Sequence, residues 1–266
     1  MSKIRLSTLK RCKADGKKFV ALTSYDASFA QLSDAAGIEV LLVGDSLGNV
    51  IQGLDSTVPV TIEQMAYHVT CVARGNKNAM IMADMPYMTY TSEASALENA
   101  TRLMQAGAHI IKLEGGAWLS PIIQRLTECG IPVCGHIGLL PQSVDKLGGY
   151  KVQGTDQSGA DTLKSDAQAL QGAGIDLLVM ECIPSSLASE ITSALDIPTI
   201  GIGAGAGTDA QVMVLHDILG LKTRPTPKFV KNFLADTSSV EDAIHAYADA
   251  VRNGQFPAPE HCYSKP

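Results

Sequence analysis

Short unbroken apolar runs recur along this chain, separated by stretches whose apolar residues return every three to four positions. Eight runs, at 19–25, 40–45, 78–85, 109–115, 132–138, 176–182, 198–205 and, more weakly, 212–216, have the length and continuity of parallel strands covered on both faces. The intervening stretches carry helix signals. Thr61-Ile62-Glu63-Gln64 has the spacing of a capping box, after which Ala66, Val69 and Ala73 continue one face. The segment 93–105, rich in Ala, Leu and Met, runs into Gly107, a natural left-handed cap. Ser238-Ser239-Val240-Glu241 opens a last helix that fades at Asn253-Gly254.

Strict alternation of strand and helix predicts a parallel sheet joined by right-handed crossovers. Eight such units in 266 residues make a closed (β/α)8 TIM barrel the first expectation and an open doubly wound sheet the second. No linker, low-complexity tract or composition break divides the chain, so 1–266 reads as a single barrel domain. Two connections, 46–59 and 139–161, are longer than a barrel needs. Both follow runs that end in polar residues, so both are expected to overhang the catalytic face as active-site loops.

Composition narrows the picture. Hydrophobic residues make up 45% of the chain but aromatics only 5%, so the core must be aliphatic. A net charge of −6 removes the electrostatic case for nucleic-acid binding. The basic stretch 10–18 reads as a solvated helix surface. The six cysteines show neither a C-x-x-C pair nor zinc-like spacing, and are expected to be free thiols in a reducing compartment. The N-terminal segment lacks the apolar core of a signal peptide, and no run approaches the ~18 apolar residues of a membrane span. A cytoplasmic protein of small-molecule chemistry, without membrane or nucleic-acid partners, is expected.

The candidate chemistry lies at the carboxyl ends of the runs. Asp45 follows VLLVG, Asp84 ends AMIMAD, Glu114 ends HIIKLE and Glu181 ends DLLVME, with Lys112 and His136 at comparable points. A carboxylate behind a buried strand needs a cation, a hydrogen-bond network or a raised pKa. Asp45 and Asp84 together would need a proton or a bridging cation, and an all-oxygen set favours Mg²⁺ or a similar hard ion. The plainer reading has each Asp capping its own loop. Lys112 and Glu114, two apart on one strand, share a face. They read as a substrate-carboxylate contact and a metal-shell carboxylate, or as a buried pair that fills the barrel. His136, between glycines, is a substrate-side group or a satisfied core histidine. Glu181, in an apolar setting, suits a general acid or base, or partners a helix N-terminus. The glycine-rich GIGAGAG at 201–207 leaves a phosphate cradle open, although the segment HDILGL at 216–221 offers no second glycine-rich loop.

Several stretches together resemble the ketopantoate hydroxymethyltransferase family of pantothenate biosynthesis: TSYD at 23–26, LLVGDSLG at 41–48, QG-x-DST-x-PVT at 52–61, KLEGG at 112–116, PVCGHIGL at 132–139, PQS at 141–143, GGYKVQG at 148–154, IGIGAG at 200–205 and PKF-x-KNFL at 227–234. The resemblance spans nearly the whole chain. It implies a (β/α)8 barrel of the phosphoenolpyruvate/pyruvate-like kind, assembled as a homodecamer. It implies transfer of a one-carbon unit from 5,10-methylenetetrahydrofolate to 3-methyl-2-oxobutanoate through a Mg²⁺-stabilised enolate, giving 2-dehydropantoate in the first committed step of that pathway. By the same likeness Asp45, Asp84 and Glu114 are metal positions, and Asp45, Ser46, Asp84, Lys112 and His136 are substrate contacts. Glu181 matches the catalytic proton acceptor. Two departures stand out: GLLPQS replaces the family's GLTPQS, and 221–226 has no familiar counterpart. The phosphoenolpyruvate mutase and isocitrate lyase barrels, a phosphate-binding barrel and a non-catalytic protein of the same fold are the alternatives.

Overall fold

The computed structural model describes residues 3–221 and 225–264, so part of the unfamiliar stretch at 221–226 lies outside the described residues. Eight strands form: β1 Phe19–Thr23, β2 Val40–Val43, β3 Met80–Asp84, β4 Ile110–Glu114, β5 Val133–Gly138, β6 Leu177–Glu181, β7 Thr199–Ile202 and β8 Ala210–Met213. They pair in parallel in chain order, and β8 closes on β1. Every residue of β1 to β4 is buried, which is why these runs are apolar throughout and do not alternate. The open doubly wound sheet is thereby excluded, and the expected barrel is the fold.

The helix signals hold locally. Thr61 and Gln64 exchange the two bonds of a capping box before the helix Ile62–Gly75, Gly107 takes a left-handed φ of 118° after Glu93–Ala106, and Ser239 caps Val240–Arg252. The fully buried stripe of the first of these helices is Ile62, Met65, Val69 and Val72, with Ala66 and Ala73 at its flanks. Bulkier side chains outcompete alanine for the face against the barrel.

Alternation fails at one place. No helix joins β7 to β8, and the glycine-rich segment makes the connection alone. Strand eight therefore begins earlier than its apolar pattern suggests. Its second residue is Gln211, a buried polar side chain whose Nε2 donates to the Gly205 carbonyl at 3.0 Å and to Thr208 Oγ1 at 2.8 Å. That amide disguises the strand, while Leu215 and His216, expected to extend it, lie in the short helix Leu215–Ile218.

The basic stretch 10–18 is more than a solvated surface. Lys10 pairs with Asp176 at 3.0 Å and Lys13 with Asp209 at 3.0 Å, and Lys18 donates to the carbonyls of Ala206 and Thr208. Asp176 and Asp209 immediately precede β6 and β8, so these lysines fasten the N-terminal helix Leu6–Ala14 to the amino end of the barrel. The opposite end is left for chemistry. All six cysteines are free thiols, and burial pushes Cys134 up to about 12, leaving it an inert apolar filler. No helix among the described residues is long and apolar enough to cross a membrane.

Candidate active site

Strand register gathers the candidate residues. Asp84 stands beside Lys112, Glu114 beside His136, and Gly138 beside Glu181, so neighbouring strands present their polar residues at one level. Asp45 lies two residues beyond the end of β2. All six, with Ser46, line one cavity of about 90 Å³. Both long connections reach it: the first supplies Ser46, Asn49 and Thr57, the second Pro141 and Tyr150. Val179, Ile202, Val212 and Met213 add apolar surface, so the cavity combines an acidic side with a hydrocarbon side.

Lys112 is the centre of the acidic side. Its Nζ lies 3.0 Å from Asp84 Oδ1, 3.6 Å from Glu114 Oε1 and 3.1 Å from His136 Nδ1, with the side chain only 4% exposed. Burial alone would drive its proton off, but Asp84, Glu114 and Asp45 outweigh burial and hold its pKa above the ordinary lysine value. Glu114 responds in the opposite direction. Burial works against its charge, yet Lys112 and His136 keep its carboxyl below the usual range. Asp45 is pushed well up, first by burial and then by the charges of Asp84 and Glu114. Asp84 is also raised, because burial exceeds the pull of Lys112.

His136 links this cluster to Glu181. Its Nδ1 faces Glu114 Oε1 at 3.3 Å, and its Nε2 faces Glu181 Oε2 at 3.3 Å. The acids outweigh burial and the Lys112 charge, so the imidazole pKa is raised. The Glu181 side chain is 14% exposed, against 3–4% for those of Glu114 and Asp84, so it is more open to the cavity than either of them. Its setting is less apolar than its strand suggests, since a histidine from the next strand faces it.

Sequence reasoning missed Gln142, Tyr90 and Tyr25 as members of the site. Gln142 donates from Nε2 to Asp45 Oδ2 at 2.8 Å, and its backbone N–H donates to Glu114 Oε2 at 3.1 Å. Tyr90 donates its hydroxyl to Gln142 Oε1 at 2.6 Å, and the Tyr25 hydroxyl lies 2.9 Å from Ser46 Oγ. The available signal was position: Gln142 sits in the PQS stretch of a loop already expected over the mouth.

The donor set fits a hard cation. Three buried carboxylates, Asp45, Asp84 and Glu114, face one ammonium, Lys112, so full ionisation leaves an excess of two negative charges. Asp84 Oδ1 is buried without a well-directed hydrogen bond, although Lys112 stands beside it. Among the described residues no three His, Cys, Asp or Glu side chains converge into a cage. An ion would therefore complete its shell with water or substrate oxygens, as Mg²⁺ commonly does. The glycine-rich segment has a different use. A Cβ on Gly205 would lie 2.4 Å from Ser185 Oγ, and one on Gly207 2.0 Å from Ser189 Oγ. These glycines let the loop pack against the helix Ser185–Ala194, which accounts for them without a phosphate.

Known proteins resemble this chain along almost its whole length. The family model for ketopantoate hydroxymethyltransferase matches residues 3–259. A protein of Marinobacter nauticus named 3-methyl-2-oxobutanoate hydroxymethyltransferase is 56% identical over 260 residues, covering 98% of both chains. One of the same name from Shewanella loihica is 56% identical over 264 residues, covering 99% of this chain and all of its own (100%). Among solved structures, phosphonopyruvate hydrolase in complex with oxalate and Mg²⁺ superposes with a TM-score of 0.64 at 12% identity, covering 98% of this chain and 93% of that one. The 2,3-dimethylmalate lyase of the phosphoenolpyruvate mutase/isocitrate lyase superfamily gives 0.57 at 17% identity, covering 78% and 80%. At such identities the structural likeness speaks for the barrel alone.

Proposed function

The chain belongs to the ketopantoate hydroxymethyltransferase family, and from that premise we propose how the residues at the barrel mouth share the work. The enzyme transfers a hydroxymethyl group to 3-methyl-2-oxobutanoate, giving 2-dehydropantoate. The one-carbon donor in this reading is 5,10-methylenetetrahydrofolate. The observation that carries the reading is the cavity itself: carboxylates gathered round Lys112 on one side, branched aliphatic side chains on the other. A 2-oxo acid with a branched tail has the same division.

Lys112 and Ser46 hold the substrate carboxylate, the lysine by charge and the serine by a hydroxyl oriented by Tyr25 at 2.9 Å. Val179, Ile202 and Val212 receive the isopropyl group, which fixes C3 toward the donor and keeps water from it. Glu181 takes the C3 proton as the general base. His136 faces Glu181 from Nε2 and holds its carboxylate in place. Asp45 and Asp84 are the residues that would hold Mg²⁺. Both oxygens of Glu114 are engaged, Oε2 by the Gln142 N–H and Oε1 by His136 and Lys112, so Glu114 meets the ion through water. When bound, the divalent cation polarises the 2-oxo group and offsets the negative charge that develops as C3 is deprotonated.

The test is Mg²⁺-dependent formation of 2-dehydropantoate from 3-methyl-2-oxobutanoate and 5,10-methylenetetrahydrofolate. Equal turnover in excess chelator would refute the metal role, and turnover with another one-carbon donor alone would refute the folate. Asp84→Ala is expected to weaken Mg²⁺ binding by about tenfold or more, read by calorimetry. Unchanged affinity would remove Asp84 from the ligand set. The family likeness also supports a cytoplasmic homodecamer, and exposed Tyr67, Met88 and Trp118 offer apolar surface for association. Sedimentation as a monomer at micromolar concentration would refute that assembly.

A further inference from the structure

The side chain of Gln142 has no part in the chemistry above, yet both ends of its amide are engaged. It is 5% exposed, and its carboxamide has one allowed orientation. One Nε2 hydrogen goes to Asp45 Oδ2 at 2.8 Å and the other to the Met85 carbonyl at 2.9 Å. The Met85 carbonyl can only accept, so a flipped amide would set oxygen against oxygen there. Tyr90 completes the lock by donating to Oε1 at 2.6 Å. The Tyr90 hydroxyl is itself buried, and its other acceptor, the Glu114 carbonyl, is farther away at 3.3 Å. The backbone N–H of Gln142 meanwhile holds Glu114 Oε2 at 3.1 Å.

The consequence falls on Asp45. Its Oδ2 is committed to Gln142, while among the described residues Oδ1 accepts no hydrogen bond. One residue from the loop after β5 thus sets the rotation of a carboxylate 97 residues away in the chain. We propose that Gln142 is a positioning residue, locked by Tyr90, which makes Asp45 a ligand through Oδ1 alone and leaves the cation's remaining places open to the oxo acid. This inference rests on the metal reading of Asp45 and Asp84. A freely rotating Asp45 would present either or both oxygens and would compete with the substrate for the ion's open positions.

The experiment uses the full-length protein without oxo acid or folate, titrated with Mn²⁺ and followed by electron paramagnetic resonance. Gln142→Leu keeps the side-chain bulk and the backbone N–H but removes the carboxamide. Its Mn²⁺ dissociation constant is expected to rise about 10–100-fold, the range typical for partners that orient a metal ligand. Tyr90→Phe, which only unlocks the amide, is expected to raise it by a smaller factor. A merely structural role would lower the melting temperature of both variants and leave Mn²⁺ affinity intact. Equal affinity in wild type and in Gln142→Leu therefore overturns this inference alone. If Gln142→Leu does not fold, unchanged affinity in a folded Tyr90→Phe does the same. Failure of the wild-type protein to bind Mn²⁺ overturns the metal reading, and this inference with it.

Discussion

Replacing Glu181 by Gln is expected to abolish exchange of the substrate's C3 proton with solvent and to lower kcat by about 10²–10⁴-fold, the usual worth of a positioned general base. Gln has the shape of Glu but no basic carboxylate. His136 Nε2, 3.3 Å away and without a well-directed hydrogen bond, can face a carboxamide oxygen as it faces the carboxylate. Lys112, Ser46 and the acids that face the metal are untouched, so binding of 3-methyl-2-oxobutanoate in the presence of Mg²⁺ should change little. The combination is diagnostic: a base lost from the reaction lowers kcat, whereas a misplaced substrate would raise KM as well. Exchange is read by proton NMR in deuterated buffer with Mg²⁺ and without the folate. Wild-type exchange rates in Glu181→Gln would remove Glu181 from the role. Weak oxo-acid binding in the variant would mean that its carboxylate positions the acid or the metal.

The strand ends were legible in the sequence because a barrel strand buried on both faces leaves few places for a charge. Asp84, Glu114 and Glu181 interrupt their runs at the last strand position, and the observed strands end on those residues. The two-residue spacing of Lys112 and Glu114 likewise required a shared face, and both line the cavity. What could not be read depends on contacts between distant segments. No periodicity links Gln142 to Asp45, and an amide in a loop looks like any solvated residue until the loop folds back. The lysines of the first helix were misjudged for the same reason, since Asp176 and Asp209 are far along the chain. The missing helix between β7 and β8 was hidden by glycines whose purpose, close packing on Ser185 and Ser189, exists only in three dimensions. Local pattern reports burial, and burial sets where a charge is costly. It does not report which partner relieves that cost.

Lys112 relieves most of it, so Lys112→Met is expected to cost about 3–5 kcal/mol of stability in the absence of divalent ions, as loss of one partner from a buried ionic cluster usually does. Met matches the lysine stem in volume, which leaves charge as the main change. Asp84 Oδ1 would lose a cation at 3.0 Å, and Asp45 and Glu114 would lose one that each feels through a water-poor interior. The sign of the pH dependence follows from the acids left behind. Asp45 and Asp84 already have pKa values raised above the ordinary 3.8, and loss of the ammonium raises them further. For such groups folding favours the protonated form, so their contribution is complete below the unfolded-state value and is lost as pH rises through the folded-state value. Glu114 lies below its ordinary value in the wild-type protein because of Lys112, and its contribution is present above the unfolded-state value and lost on acidification. The variant forfeits that part too. Its deficit against wild type should therefore be largest at neutral and alkaline pH and shrink as pH falls toward the carboxyl range. Urea unfolding midpoints at a series of pH values measure it. Saturating Mg²⁺ should restore part of the stability, because the ion supplies the charge that Met cannot, whereas substrate affinity should stay low without the ammonium. A deficit independent of both pH and Mg²⁺ would mean that Lys112 fills space and does not balance charge.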